Sequence, residues 1–174
     1  MRSINKIILI SLLFLNFENN LFAQSPYFVD FKYILNKSKA GSEAQTFLKD
    51  KLDNGIKNLK DKEKAIKEDE KKIVQQKKLV SAEEYKKKVT ELRKKVVSLQ
   101  NQRNKLLDSV AKQRSKARTE ILKNLNPVIK EYMEEKKIRM VIDKKSILLA
   151  DENLDITKQI LDLLNKRLKT IKLN

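Results

Sequence analysis

The chain has 174 residues and a formal net charge of +17, and 40% of its residues are hydrophobic, 36% charged and only 6% aromatic. This composition is typical of long exposed helices or coiled coil rather than of a compact globule of this size. The absence of Cys excludes disulfides and thiolate metal sites, and the absence of His removes the commonest general base and metal ligand. We therefore expect a protein without cofactor or metal that is not an enzyme.

Residues 1–23 are predicted to be a secretory signal peptide. Arg2 and Lys6 precede an apolar run at residues 7–15, and the small residue Ala23 ends the polar stretch that follows. A membrane-spanning helix needs about 20 apolar residues, so this run is too short to cross a bilayer. The alternative is an uncleaved membrane anchor. We expect cleavage near Ala23 and export to an extracytoplasmic space.

Two helices are predicted from the spacing of apolar residues. In the first, over residues 42–78, they recur every seven residues, which places them on one stripe. This stripe comprises Leu52, Leu59, Ile66, Ile73 and Val80, with Phe47, Leu48 and Ile56 at its start. In the second helix they alternate in steps of four and three, as in a coiled-coil seam. This seam comprises Tyr85, Val89, Leu92, Val96, Leu99, Leu106 and Val110, with Arg103 and Gln113 in the gaps.

The stretch "LVSAEEYKKKV" at residues 79–89 separates the two helices. Ser81 and Glu84 match a capping box, and Val80 and Tyr85 are placed for a hydrophobic staple, so a new helix is predicted to start at Ala82. Neither Gly nor Pro marks a turn, which leaves one continuous helix with a stutter as the alternative. We predict an antiparallel hairpin whose second helix runs to about residue 136, with a kink at Pro127.

The remaining segments predict a small body. "PYFVD" (26–30) and "IRMVID" (138–143) are typical of short strands, "SILLA" (146–150) predicts the second strand of a hairpin, and Asp155 is a candidate N-cap for a final helix. Because three short strands bury too little surface to fold alone, we expect several chains to share one core. The residues predicted for this oligomer core are Phe28, Val29, Met140, Ile142, Ile147 and Leu149.

These elements predict an α+β fold, mostly α, with two parts. Residues 24–41 and 126–174 form the body and oligomerisation domain, and residues 42–125 form a long antiparallel coiled-coil hairpin arm with its tip near 78–82.

Positive charge is concentrated around the predicted turn. Residues 71–95 contain ten basic and three acidic residues, and the basic ones are Lys71, Lys72, Lys77, Lys78, Lys86, Lys87, Lys88, Arg93, Lys94 and Lys95. An exported protein meets anionic lipid, lipopolysaccharide or acidic unfolded polypeptides. Nucleic acid would require the signal peptide prediction to be wrong, and the aromatic residues of a single-strand binder are scarce. Alternatively, these lysines only solvate exposed helix faces.

The order of elements resembles the OmpH-like (Skp) family of periplasmic chaperones. The resemblance covers about residues 27–168 and is carried by "VDFKYIL" followed by "SKAG", by Pro127, by "MVIDKKSILLADENLDIT" and by the closing amphipathic helix. Family members often have a Gly just before the second strand, where this chain reads "EEKKIRMVID".

The resemblance implies a homotrimer in which three chains share a small β-barrel body. Three hairpin arms would then enclose a cavity that holds unfolded outer-membrane proteins without ATP and prevents their aggregation. The alternative function is that of a passive coiled-coil spacer or tether between layers of the envelope.

Overall fold

The computed structural model describes residues 25–173, so the predicted signal peptide and its cleavage site lie outside the described residues. The fold is mostly helical and is dominated by two long helices, as predicted. In chain order the elements are strand β1 (Tyr27–Val29), helices α1 (Phe31–Lys37), α2 (Lys39–Gln76) and α3 (Ala82–Lys136), strand β2 (Val141–Asp143), two 3-10 helices (Lys144–Ser146 and Glu152–Leu154) and helix α4 (Thr157–Arg167).

The predicted reversal between the long helices is confirmed. Helix α2 ends at Gln76 and α3 begins at Ala82, which excludes a continuous helix. Ser81 Oγ accepts a hydrogen bond from the Glu84 N–H at 3.2 Å, so Ser81 caps α3 as the sequence predicts. The Glu84 carboxylate lies 3.2 Å from Lys88 Nζ. A capped first turn therefore fixes where the second helix starts.

Helices α2 and α3 form the predicted hairpin arm. With 38 residues, α2 is about 57 Å long. Helix α3 has 55 residues and continues past the start of α2 into the body, and it contains Pro127, which has no N–H to donate to the preceding turn. The arm and the body are thus joined by a single long helix.

The body contains a two-stranded parallel sheet. Phe28 of β1 lies opposite Ile142 of β2, and on the other side of β1 the Ile156 N–H donates to the Phe28 carbonyl at 3.0 Å. The prediction of a strand at residues 146–150 is wrong. The Asp143 carboxylate accepts the Lys145 N–H at 3.2 Å and caps a 3-10 turn, which takes the chain out of the sheet.

Helices supply most of the body's core. Helices α1 and α4 and the lower part of α3 pack around β1, which compensates for the small sheet. The buried members are Val29, Ile34, Ile121, Leu125, Val128, Ile138, Ile156, Ile160 and Leu164. A single chain thus has a contiguous apolar core of its own, which the count of strands alone did not predict.

Two contacts tie the body to the base of the arm. Ser38, fully buried between α1 and α2, accepts the Gly41 N–H at 3.2 Å. A Cβ at Gly41 would lie 2.0 Å from the Leu35 carbonyl oxygen, so only glycine allows α2 to pack this closely on α1. At the other end of the chain, buried Leu173 packs against the base of the arm and its carbonyl accepts a hydrogen bond from Gln113 Nε2.

The start of the last helix differs by one position from the prediction. Helix α4 begins at Thr157 with Ile156 at its N-cap, but the predicted cap Asp155 accepts the Thr157 N–H at 2.9 Å. Burial raises the pKa of Asp155, and hydrogen bonds from Thr157 together with nearby Lys144 outweigh it, so the pKa lies below its ordinary value. The carboxylate therefore remains ionised while it holds this helix end.

Candidate functional site

Polar pairs cross between the two helices of the arm at intervals of seven residues. Nearest the turn, Lys88 Nζ donates to Gln76 Oε1 at 2.7 Å. One heptad further, Lys95 Nζ lies 2.6 Å from an Asp69 carboxylate oxygen, and one heptad beyond that Lys62 Nζ donates to Gln102 Oε1. At the base, Lys51 Nζ donates to both Ser109 Oγ and Gln113 Oε1 at 2.8 Å. These repeated pairs show that the helices keep one register along the whole arm.

Apolar layers alternate with these polar pairs. Ile66 and Leu99 lie on the wall of one cavity of about 290 Å³ between the helices, together with the small residues Ala65 and Ser98. Nearer the base, a Cβ at Gly55 would approach a Leu106 methyl carbon to 2.5 Å, so this glycine makes room for Leu106. The interior of the arm therefore contains polar pairs and a glycine as well as apolar side chains.

The predicted seam of α3 is wrong in its middle part. Val96 and Arg103 are exposed, although the alternation of apolar residues places both in the seam. The side chains one position earlier, Lys95 and Gln102, reach across to α2 instead. Because their partners Asp69 and Lys62 are also polar, the pairing satisfies charge and hydrogen-bonding groups on both helices.

The hairpin brings the ten predicted basic residues to the far end of the arm. Eight of them are exposed there and lie outside the polar pairs: Lys71, Lys72, Lys77, Lys78, Lys86, Lys87, Arg93 and Lys94. The other two, Lys88 and Lys95, point across the hairpin to Gln76 and Asp69. We call the eight exposed residues the tip cluster. It is a surface of high positive charge with no enclosing pocket.

The ion pair within the arm keeps both partners charged. The hydrogen bond from Lys95, and then its positive charge, lower the pKa of Asp69 below its ordinary value. The same contact raises the pKa of Lys95. Both side chains are largely open to water, so the pair sets the register of the helices more than it stabilises them.

The residues predicted for an oligomer core fall into three groups by burial. Phe28 and Val29 are buried within the chain, and Ile142 and Ile147 are half-buried. Met140 and Leu149 are exposed, and Leu148 beside them is fully exposed. Three large apolar side chains therefore lie uncovered near the edge strand β2 of a single chain.

The described part of the chain contains neither a candidate metal cluster nor a candidate membrane-spanning helix. Residues 25–173 contain no group of three or more Asp or Glu side chains placed to hold a metal ion. Within the same residues, no helix is both long and apolar enough to cross a bilayer.

Sequence reasoning missed the polar pairs and the contact of the C-terminus with the arm. The signal for the pairs was present: residues 62, 69 and 76, and residues 88, 95 and 102, are polar and recur every seven positions. A search for apolar periodicity does not find them. Gln113 was noted as a gap in the seam, and the structure shows it bonded to Lys51 and to the Leu173 carbonyl.

Comparison with known proteins identifies both a family and a fold. Residues 27–164 match the family described as "Outer membrane protein (OmpH-like)". A crystal structure of a Caulobacter crescentus protein, described as an OmpH-like outer membrane chaperone, is similar with a TM-score of 0.77 and 19% identity, covering 87% of this chain and 95% of that one. At this identity the likeness concerns the fold. No curated protein matches the sequence.

Proposed function

Because the chain belongs to the family of OmpH-like outer membrane proteins, we propose that it is a periplasmic chaperone that binds unfolded outer-membrane proteins and prevents their aggregation without ATP. The observation that carries this proposal is the arm: a hairpin about 57 Å long whose far end gathers eight exposed basic side chains. Many weak contacts along such an arm suit a client without fixed structure. We use "client" for this unfolded polypeptide.

The cavity for a client requires more than one chain. We propose a homotrimer with its contacts in the body, residues 24–41 and 126–174, and three arms formed by residues 42–125. Exposed Met140, Leu148 and Leu149 support this assembly, because uncovered apolar side chains at a sheet edge favour association. Cleavage near Ala23 would release the mature chain into the periplasm.

An aggregation assay tests the proposed function. A urea-unfolded outer-membrane β-barrel protein is diluted into buffer with or without the purified protein, in the absence of nucleotide, and light scattering is followed. We expect the protein to suppress scattering at stoichiometric concentration. A passive spacer between envelope layers would leave the scattering curve unchanged, and that result would reject the chaperone proposal.

Assembly is tested by a charge placed on the exposed apolar surface. Leu149→Asp should dissociate the oligomer, because a charge buried between chains is left without a partner. Leu149 is almost fully exposed in the single chain, so the substitution leaves the chain's own core intact. Leu79→Asp, at the equally uncovered turn of the arm, is the matched control. The molar mass measured by light scattering should fall for Leu149→Asp and not for Leu79→Asp. Equal molar masses of the two variants would contradict the proposed interface.

The tip cluster is tested by charge reversal. Lys86, Lys87 and Lys94, all exposed, are changed together to Glu. We expect slower capture of an acidic unfolded client or of anionic liposomes, with most of the effect in the association rate and less salt dependence than in the unmodified protein. The control reverses three exposed lysines of the C-terminal region, Lys166, Lys169 and Lys172.

Stopped-flow fluorescence at low and high salt measures the capture rate of both triple variants. If the tip and control variants are slowed equally, net charge alone acts and the tip cluster has no special role. If neither is slowed, the tip lysines only solvate the coiled coil.

A further inference from the structure

Two surfaces run along the arm, one on each side of the line where α2 and α3 meet. The polar pairs and apolar layers define that line, so positions relative to it define the sides. On α3, one side is formed by the residues one and four positions after Tyr85, Leu92, Leu99 and Leu106, and by Arg114. We call this side the valine flank; its α3 residues are Lys86, Val89, Arg93, Val96, Gln100, Arg103, Leu107, Val110 and Arg114.

The corresponding positions of α2 lie on the same side. A hydrogen bond and the charge of Lys67 lower the pKa of Glu63, and the charge of Arg103 lowers it further across the hairpin, which places Glu63 beside the valine flank of α3. Ala65 and Ser98, by contrast, line a common cavity with Ile66 and Leu99 on the other side. Ile56 and Val74 occupy flank positions in α2, so the flank is shared by both helices.

The two sides of α3 differ sharply in composition. The valine flank has four apolar residues, four basic residues and no acidic residue. The opposite side has no apolar residue, four basic residues and three acidic residues. That side consists of Glu84, Lys87, Glu91, Lys94, Ser98, Asn101, Lys105, Asp108, Lys112 and Ser115. Solvation of a helix alone does not predict apolar residues and unbalanced positive charge on one side.

Four apolar side chains of the valine flank are exposed, whereas Val89 is half-buried and Val110 is buried. Val96 is 50% and Leu107 52% exposed on α3, and Ile56 is 40% and Val74 61% exposed on α2. From Ile56 to Val74 the row extends about 27 Å along the arm. A row of exposed apolar residues marks an interaction surface when it is accompanied by a charge pattern that selects a partner.

We infer that the valine flank is the surface of the arm that holds the client, an acidic unfolded polypeptide. This inference rests on the proposed function and names the surface that performs it. On its α3 side the flank has four basic residues and no acidic one, and on its α2 side Glu63 is already paired with Lys67, so the positive charge that remains is complementary to an acidic chain. Arginine guanidinium groups pair with carboxylates and stack on aromatic rings, while the valine and leucine side chains contact apolar segments.

Arginine and lysine are also distributed unequally. Arg93, Arg103 and Arg114 lie on the valine flank, whereas the opposite side of the same helix stretch carries lysines only. A guanidinium group is less strongly hydrated than an ammonium group, so it can contact both charged and apolar parts of an unfolded chain. The flank therefore combines affinity for acidic residues with affinity for apolar ones.

Site-specific photo-crosslinking tests this surface. The chain has no Cys, so one introduced cysteine is a unique attachment point for a benzophenone label. Val74→Cys, Val96→Cys and Leu107→Cys place the label on the flank. Val97→Cys is the matched control, since Val97 is the next residue of the same helix, is 59% exposed and does not occupy a flank position. The probe is a urea-unfolded, acidic outer-membrane β-barrel protein.

We expect crosslinks to the probe from all three flank positions with several-fold higher yield than from residue 97. Equal yields from residues 96 and 97 would overturn the inference and leave the proposed function intact if aggregation is still suppressed. Crosslinks from the flank to another copy of the chain would show that copies cover this surface, which also overturns it. Failure to suppress aggregation would reject the proposed function itself, a distinguishable result.

A charge-conserving substitution tests the part played by arginine. Arg103→Lys keeps the positive charge but removes the planar guanidinium group, and Arg118→Lys makes the same change at an exposed position of α3 outside the flank. We expect the probe to dissociate several-fold faster from the Arg103→Lys variant and at an unchanged rate from Arg118→Lys. Unchanged dissociation from both variants would contradict the assignment of arginine to client binding.

Discussion

Helix α3 runs through both the arm and the body, but the interiors of the two regions differ. In the body, nine buried apolar residues from β1, the helices and the linking segments form one continuous cluster. In the outer part of the arm, Ile66 and Leu99 lie between the polar pairs Asp69–Lys95 and Lys62–Gln102, whereas at the base Leu48, Leu52, Leu106 and Val110 belong to one apolar cluster. One end of α3 is therefore embedded in a continuous core and the other end is not.

This difference separates stability from binding. Burial of apolar area is the main source of folding free energy, whereas an exposed polar pair contributes little. The body should therefore hold the chain together, while the arm is held by a few apolar layers and a fixed register. A weakly held arm can open at low cost in free energy.

The largest expected effect comes from equal truncations in the two regions. Leu164→Ala removes a fully buried side chain from the body and should lower the free energy of unfolding by about 2–5 kcal/mol. Leu99→Ala makes the same change in the arm, where Leu99 is half-buried beside a cavity, and should cost about 1 kcal/mol or less. Urea denaturation followed by circular dichroism measures both.

Hydrogen exchange locates each effect. Leu164→Ala should raise exchange of backbone amides throughout the body, whereas Leu99→Ala should raise it only in α2 and α3. If the two substitutions cost the same free energy, or if Leu99→Ala loosens the body, the arm and body are not distinct in stability.

The arm was largely predictable from sequence because its signals are local. The recurrence of Leu59, Ile66 and Ile73 every seven residues defines a helix, and Ser81 marks the start of the next one with a side chain that satisfies a backbone N–H. Each of these signals depends on residues close in sequence. The middle of the seam was mispredicted because a search for apolar residues selects Val96 rather than Lys95. In the structure Lys95 faces α2 instead, since it pairs with Asp69.

The body was less predictable because its contacts are distant in sequence. Strand β1 pairs with β2 more than 100 residues later, and each strand has only three residues. The apolar stretch at 146–150 has the composition of a strand but no partner within the chain, and Leu148 and Leu149 remain exposed. For the candidate site, the sequence located the basic tip but not the flank, since the flank depends on the register of the two helices.

Replacing a polar layer of the arm with an apolar one should make the arm resemble the body. Lys62→Leu combined with Gln102→Leu removes one crossing hydrogen bond and joins the apolar layers on either side. We expect the free energy of unfolding of the arm to rise by about 1–2 kcal/mol. Amide exchange in α2 and α3 should slow, and exchange in the body should not change.

The stabilised arm also tests whether opening matters for binding. If a loosely held arm is needed to admit a client, this double variant should capture a urea-unfolded β-barrel protein more slowly while suppressing its aggregation at equilibrium. The control, Lys105→Leu, changes an exposed residue outside the seam. Faster capture by the double variant would contradict the hypothesis that the polar layers help the arm to open and admit a client.

The smallest expected effect is the pH dependence of the Asp69–Lys95 pair. The hydrogen bond from Lys95 lowers the pKa of Asp69 below its ordinary value of 3.8, so the pair stabilises the arm above that pH. This contribution is lost as the pH falls through the folded-state pKa, because protonation removes the charge that Lys95 contacts. The pKa of Lys95 is raised above its ordinary value of 10.5, so the contribution is also lost at higher alkaline pH.

Asp69→Asn isolates this contribution from that of other acidic residues such as Glu63, whose pKa is also lowered, chiefly by a hydrogen bond from Lys67. The unmodified protein should melt slightly higher than the variant at about pH 7, and the difference should shrink towards about pH 2, as the pH falls through the lowered pKa of Asp69. Thermal melting by circular dichroism at both pH values measures it. Because both side chains are largely exposed, salt should reduce the difference at neutral pH. A difference that persists in acid would mean that the amide disturbs packing, and that the ion pair does not contribute through charge.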